Sequence, residues 1–406
     1  MEQKSFRTFL LVLVLVVIAY PEASSGDEFV SVNGVHLMLN GSPFYANGFN
    51  AYWMMVIAAD VSQRPKVTAA FQDASARGLT IARTWAFSDG GDWMPLQISP
   101  GVYNEQVFQG LDFVVSEAKN HGIKLVLSLV NNWVEFGGKK QYVAWGKAQG
   151  QTVSADDDFF TNEVIKGFYK NHVKTVLTRR NTITGIAYMD DPTIMAWELI
   201  NEMRCVSDKS GKTVQAWVSE MAPYVKSIDR KHLLEVGLEG YYGASRSQQY
   251  PQYFQVGTDF IENNQVPGID FATVHTYTEQ MFQNMPEADQ LSFLNRWVQD
   301  HIHDAENTLH KPVLFAEFGK TLKGYTIEQR DRTFNAMYSG VYSSASRGGA
   351  AAAALFWQVL SEGTESSFQD GYGIVLSRPS STADIIAQQS SRMNGIRSML
   401  ARRGRL

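Results

Sequence analysis

The chain has 406 residues, of which 44% are hydrophobic and 19% charged, and a formal net charge of −5. This composition belongs to a folded globular protein and not to a disordered one; the mild negative balance argues against a nucleic-acid partner. A lone cysteine, Cys205, excludes an intrachain disulfide and a cysteine-built zinc cluster, so stability has to come from a large buried core.

The N-terminus reads as a separate signal. Lys4 and Arg7 precede the apolar run 9–19, and the small residues Ala23-Ser24-Ser25-Gly26 follow, the order of a secretory leader. The run falls short of the ~20 apolar residues that span a bilayer. We therefore expect a signal peptide over 1–25, one domain over 26–406, a secreted product, and no membrane contact after the signal is removed. Next come alternating residues around Asn33-Gly34 and Asn40-Gly41, which predict a short β-hairpin. Asn40-Gly41-Ser42 is also a glycosylation sequon.

From there short apolar runs alternate with longer amphipathic segments. The runs are 44–48, 80–85, 124–129, 194–199, 232–237, 271–275, 313–318 and 352–357, eight in all. Helical periodicity marks 104–121, 213–228, 289–308 and 326–346, with 383–400 as a segment to pack last. Segments 134–156 and 241–262 are polar and read as extended βα loops. Eight near-continuous apolar strands alternating with helices predict an α/β fold, a single (β/α)8 TIM barrel. No glycine-rich dinucleotide turn follows the first strand.

Barrel enzymes carry their functional groups at the C-terminal ends of the strands. Those ends hold Arg83 and Trp85; Asn131, Asn132 and Trp133; Asn201 and Glu202; His275 and Tyr277; Glu317; and Trp357. Asn-Glu also occurs at 104–105 and 162–163, but only Asn201-Glu202 follows an apolar strand. Glu317 lies within an apolar run, where a carboxylate is costly unless paired or functional. Two carboxylates with aromatics able to stack on sugar rings, and no metal-ligand spacing, suit glycoside hydrolysis, in which one acid protonates the leaving oxygen and an ionised partner meets the developing cation. Repulsion and burial should raise one of the two pKa values, keeping that group protonated near neutral pH. His301, His303 and His310 read as solvated helix surface; Asp156-Asp157-Asp158 and Asp190-Asp191 lack calcium-loop spacing. G-x-S-x-G and H-E-x-x-H are absent, which disfavours serine-hydrolase and zinc-protease chemistry.

The segment Trp197-Glu198-Leu199-Ile200-Asn201-Glu202, with Arg204-Cys205 after it, resembles the acid/base motif of glycoside hydrolase family 5, and more narrowly that of plant endo-β-1,4-mannanases. Residues 81–85, 131–133, 274–277, 315–319 and 356–358 extend the likeness over roughly residues 28 to 400. The resemblance implies that Glu202 is the acid/base, Glu317 the nucleophile, and Asn201 the partner of the sugar 2-hydroxyl. It implies that Arg83 and Tyr277 hold the nucleophile, His275 tunes the acid/base side and Trp357 floors the subsite beside the cleaved bond, with Trp85, Asn132, Trp133 and Arg204 as further substrate contacts. The implied substrates are mannan, galactomannan or glucomannan, cleaved internally with retention by a monomer that needs no cofactor or metal. Met203 departs from the family's usual proline, which predicts a looser turn after Glu202. A β-1,4-glucanase of the same family, a weakly active or noncatalytic mannan-binding homologue, and a predominantly transglycosylating enzyme are the alternatives.

Overall fold

The computed structural model describes residues 28–91, 93–250 and 256–402; the leader assigned to 1–25 lies outside them. Eight parallel strands form the central sheet: β1 (Ala46–Asn50), β2 (Ile81–Trp85), β3 (Lys124–Ser128), β4 (Ile194–Glu198), β5 (Leu233–Glu235), β6 (Ala272–Thr276), β7 (Val313–Phe318) and β8 (Ala351–Phe356). They pair in the order β5-β4-β3-β2-β1-β8-β7-β6. The remaining seam, between β5 and β6, is bridged by a 2.8 Å hydrogen bond from Asp270 N–H to Leu234 C=O. The sheet is thus a nearly closed barrel with sequential strand order, as the eight apolar runs predict.

A helix follows each strand: α1 (Arg64–Ala76), α2 (Glu105–Asn120), α3 (Glu163–Thr178), α4 (Lys212–Ile228), α5 (Phe260–Asn264), α6 (Glu287–Asp304), α7 (Ile327–Ala345) and α8 (Ser381–Asn394). Local chemistry sets their ends. The Asn104 side chain accepts from Gln106 N–H to cap α2, whose buried stripe is Val107, Leu111, Val114, Val115 and Ala118. Thr326 and Gln329 form a reciprocal capping box on α7.

Strand residues alternate between two cores. Ile81, Val126, Met195, Leu233, Leu314 and Leu355 fill the barrel interior, where Val30 and Leu37 of the N-terminal segment close its base. Ala82, Leu125, Trp197, Leu234 and Phe315 face the helices in the larger core. The inward positions at the other end of the strands are polar: Arg83, Glu198, Glu235, His275 and Glu317 are all nearly inaccessible to solvent. Arranging those groups is the fold's functional consequence.

Several expectations need correction. The N-terminal hairpin is a three-stranded antiparallel sheet, Ser31–Asn33, His36–Leu39 and Ser42–Pro43, because the turn at Asn40-Gly41 returns a third short strand. Segment 134–156 is not all loop; Gly138–Ala148 is helical, burying Tyr142, Val143 and Gly146. His301 is not solvated surface. It continues the buried Leu294, Trp297 and Val298 face of α6, with ring nitrogens 2.8 Å from the carbonyls of Trp297 and Gly240. His303 and His310 are exposed.

Candidate active site

The open end of the barrel brings Glu202 and Glu317 together. Glu202 follows β4 after a bridge between Asn131 and Asn201, and its backbone is left-handed, φ +54°. β5 approaches this turn closely through Gly237, where a Cβ would lie 1.9 Å from the Ile200 carbonyl oxygen; only glycine fits. Met203 is buried in the core behind the turn, and both carboxylate oxygens of Glu202 are held. Trp133 Nε1–H donates to Oε2 at 2.5 Å, and His275 Nδ1 lies 3.0 Å from Oε1.

Glu317, at the end of β7, accepts from Arg83 Nη1–H at 2.6 Å and from the Tyr277 hydroxyl at 2.7 Å. Its Oε1 lies 3.5 Å from His275 Nδ1. One donor atom from each of Glu202, His275 and Glu317 falls within 4.8 Å of the others. Among the described residues this is the one cluster with the spatial arrangement of a metal site, a grouping invisible in positions 202, 275 and 317. Its charge balance is already supplied from within: Arg83 lies against one carboxylate and the imidazole against both.

Arg83 is the centre of the lattice. Its Nε and Nη2 grip both oxygens of Glu198 at 2.6 and 2.7 Å, Nη2 also reaches Asn201 Oδ1 at 2.6 Å, and Nη1 bridges Asn50 Oδ1 and Glu317. The planar fork satisfies four partners at once. Asn201 in turn donates to Asn131 Oδ1 at 2.9 Å, which fixes its amide.

Trp357 stacks on Tyr52 at 5.4 Å and 6°, and its indole N–H donates to Asp370 at 2.6 Å, leaving the ring half-buried at the floor of the cleft. Trp85 is buried between Tyr52 and Phe87 but still lines the cavity. Arg204 is clamped by Glu239 at 2.5 and 2.6 Å and lies between the rings of Trp133 and Tyr241. Asn132 departs from the expected role: its side chain accepts from the Arg204 backbone N–H at 3.2 Å and shapes the loop, while Asn131 lines the cleft. Tyr52, Asp370, Tyr372 and Gln280 also belong to the site and carried no sequence motif.

The cleft is elongated. A cavity of about 320 Å³ holds Glu202, Glu317, Trp85, Asn201 and Trp357. It adjoins one of about 340 Å³ through Trp133, Glu202, Tyr277 and Gln280, lined further by Arg204, Glu239 and Tyr241. On the other flank it meets a cavity of about 590 Å³ through Glu135, beside the half-exposed Trp93.

One of the two carboxyl pKa values is raised, as expected, and it is that of Glu317. Burial raises Glu202, but hydrogen bonding and charge from His275, with Trp133 and Arg204, outweigh it and leave its pKa below the usual carboxylate value. Burial also raises Glu317 and there prevails over His275 and Arg83, aided by the charge of Glu202. Burial opposes protonation of His275, yet Glu317 and Glu202 overcome it and raise the imidazole. The two carboxyl groups therefore favour a proton on His275, beside Glu202, and the raised carboxyl is the one the resemblance makes the nucleophile.

The fold is a (β/α)8 barrel whose rim carries a clamped carboxylate pair. Residues 27–367 match the sequence model of the GH family 5 beta-mannosidase-like group. The chain is 59% identical to Mannan endo-1,4-beta-mannosidase 7 of Arabidopsis thaliana, over 94% of this chain and 89% of that protein. It is 56% identical to Mannan endo-1,4-beta-mannosidase 1 of Oryza sativa subsp. japonica, over 98% and 94%. Among solved structures it resembles the endo-beta-1,4-mannanase from Thermotoga petrophila, with TM-score 0.78 and 32% identity over 88% of this chain and 78% of that one. The Rhizomucor miehei endo-1,4-beta-mannanase gives TM-score 0.75 and 31% identity, over 91% and 99%. The protein belongs to glycoside hydrolase family 5, in its β-mannosidase-like branch.

Proposed function

We propose that this protein is a mannan endo-1,4-β-mannosidase that cleaves internal β-1,4 bonds of mannan, galactomannan or glucomannan with retention of configuration. The observation that carries the reading is the proximity of the two carboxylates, with donor atoms within 4.8 Å. Retaining pairs stand ~5–5.5 Å apart, whereas inverting pairs need ~6.5–9.5 Å to admit water.

Glu317 attacks the anomeric carbon, aimed by Arg83 and Tyr277, and forms a glycosyl-enzyme. Glu202 protonates the departing oxygen, taking over the proton of the 3.0 Å contact with His275, and then activates the water that releases the sugar. Asn201, its carbonyl occupied by Arg83, offers its remaining amide hydrogen to the 2-hydroxyl. The Trp357 face supports the sugar ring next to the cleaved bond. The carboxylate cavity shares lining residues with two further cavities, room for a chain longer than the cleaved pair of sugars, as endo-action requires. The charge and apolar order of 1–25 supports export, and no helix among the described residues is long and apolar enough to cross a membrane.

The test is release of reducing ends from galactomannan by purified protein, with cellulose as control, and proton NMR of the first-formed product. Release from galactomannan with initial β-anomer is expected. Preferential attack on cellulose, or initial α-anomer, overturns the substrate or the stereochemical assignment respectively.

A further inference from the structure

Glu235 lies outside the catalytic roles just assigned. On the parallel pair β4–β5 it is in register with Glu198, and neither residue has any solvent exposure. Its Oε2 accepts from the Gly237 N–H and, at 2.9 Å, from the Thr273 hydroxyl, whereas no donor reaches its Oε1. Glu198 uses both oxygens on Arg83, and the in-register carboxyl of Glu235 lies beside it within side-chain hydrogen-bonding reach. Two carboxylates cannot share a hydrogen bond without a proton between them.

Charge balance says which group carries that proton. Arg83 already faces the ionised Glu198 and the Glu317 carboxyl, and a further buried anion beside them would be uncompensated. Burial and the charge of Glu198 push Glu235 well above the usual carboxylate range, while burial of Glu198 is outweighed by the Arg83 charge and hydrogen bonds, which hold it low.

We propose that Glu235 is a permanently neutral carboxylic acid whose O–H is donated to Glu198, making it a positioning residue for the Arg83 fork that aims Glu317. Glu198 would otherwise be free to rotate about its side chain; with Glu235 behind it, it presents both oxygens to Arg83 in one plane. The chain Glu235–Glu198–Arg83–Glu317 thus runs through the buried barrel interior from β5 to the reacting carboxylate. This inference rests on the assignment of Glu317 as nucleophile.

The test compares E235Q with E235L. Glutamine retains a donor toward Glu198 and an acceptor for Thr273 and Gly237, so it reproduces a neutral acid; leucine offers neither. E235Q is expected within about threefold of wild type on galactomannan, while E235L loses about 10- to 100-fold in kcat with KM little changed, the scale of a misaimed reacting group. E235Q as impaired as E235L overturns the proposal, since it would mean that the ionised form is needed. Infrared difference spectra of wild type against E235Q, at neutral pH and without substrate, should contain a protonated-carboxyl C=O band in the wild type alone; a spectrum lacking it also overturns the proposal. The spectrum is independent of activity and of whether E235L folds. A wild type with that band but no mannan hydrolysis would overturn the assigned function and still support the proton on Glu235.

Discussion

Replacing Arg83 with lysine keeps the charge and removes the fork, and so tests whether geometry or charge holds Glu317, the proposed nucleophile. Arg83 makes five hydrogen bonds of 2.6–3.0 Å to Glu198, Asn201, Asn50 and Glu317, and it is buried. An ammonium has three donors on one atom, so at least two of these contacts are lost, in a place where water does not replace them. A hydrogen bond to a charged group contributes about 1.5–3 kcal/mol, which puts the combined loss at about 3–6 kcal/mol. If the Glu317 contact is among those lost, about 1.5–3 kcal/mol falls on the transition state, or about 10- to 150-fold in kcat/KM. The measurements are kcat/KM on galactomannan and the thermal midpoint of R83K beside wild type. Lower stability with kcat/KM within about twofold of wild type would refute the reasoning, because the fork would then hold the barrel and not the nucleophile.

The barrel was legible because a strand buried on both faces has to be apolar at nearly every position. All eight runs overlap a strand, and β7 matches its run residue for residue. Misses came where tertiary packing decided. β5 is only three residues long, since Gly237 turns the chain toward the β4 turn. Gly138–Ala148 contains two glycines, which weaken it by propensity, and three lysines, which hide its apolar face, yet it buries Tyr142 and Val143. α3 escaped notice although Ile165, Tyr169, Val173 and Val176 recur at helical spacing.

At the site, Glu202 and Glu317 were visible because strand ends are privileged positions in this architecture. The argument that singled out Glu317, a carboxylate inside an apolar run, applies equally to Glu198 and Glu235. What one dimension lacks is the partner, for Arg83 lies 115 residues from Glu198 and 234 from Glu317. Tyr52, Asp370 and Tyr372 had no signal, because they reach the cleft from loops whose course depends on the finished barrel. The direction of the carboxyl shifts also escaped sequence reasoning, since it depends on His275 facing both acids.

The other expected outcomes bear on the reacting groups. Glu317→Ala should abolish turnover while leaving the fold intact, at some cost in thermal midpoint because Arg83 and the Tyr277 hydroxyl lose a buried partner; near-normal hydrolysis removes Glu317 from the mechanism. Glu202→Ala should slow hydrolysis of mannan far more than that of an activated aryl mannoside, whose leaving group needs little protonation; equal losses on both count against the acid/base role. The pH profile of kcat/KM should be a bell with both limbs displaced upward. Glu317 must be ionised to attack, and burial together with Glu202 raises its pKa above 4.5, so activity climbs with pH only beyond the ordinary carboxylate range. The leaving-group proton is held by the Glu202–His275 pair, and the neighbouring carboxylates raise His275 above 6.5 despite its burial, so activity falls as that proton is lost at still higher pH. His275→Asn removes the imidazole that stores this proton and should move the descending limb to lower pH while the ascending limb persists. A descending limb unchanged in that variant would place the proton on Glu202 alone and undo the shared-proton account.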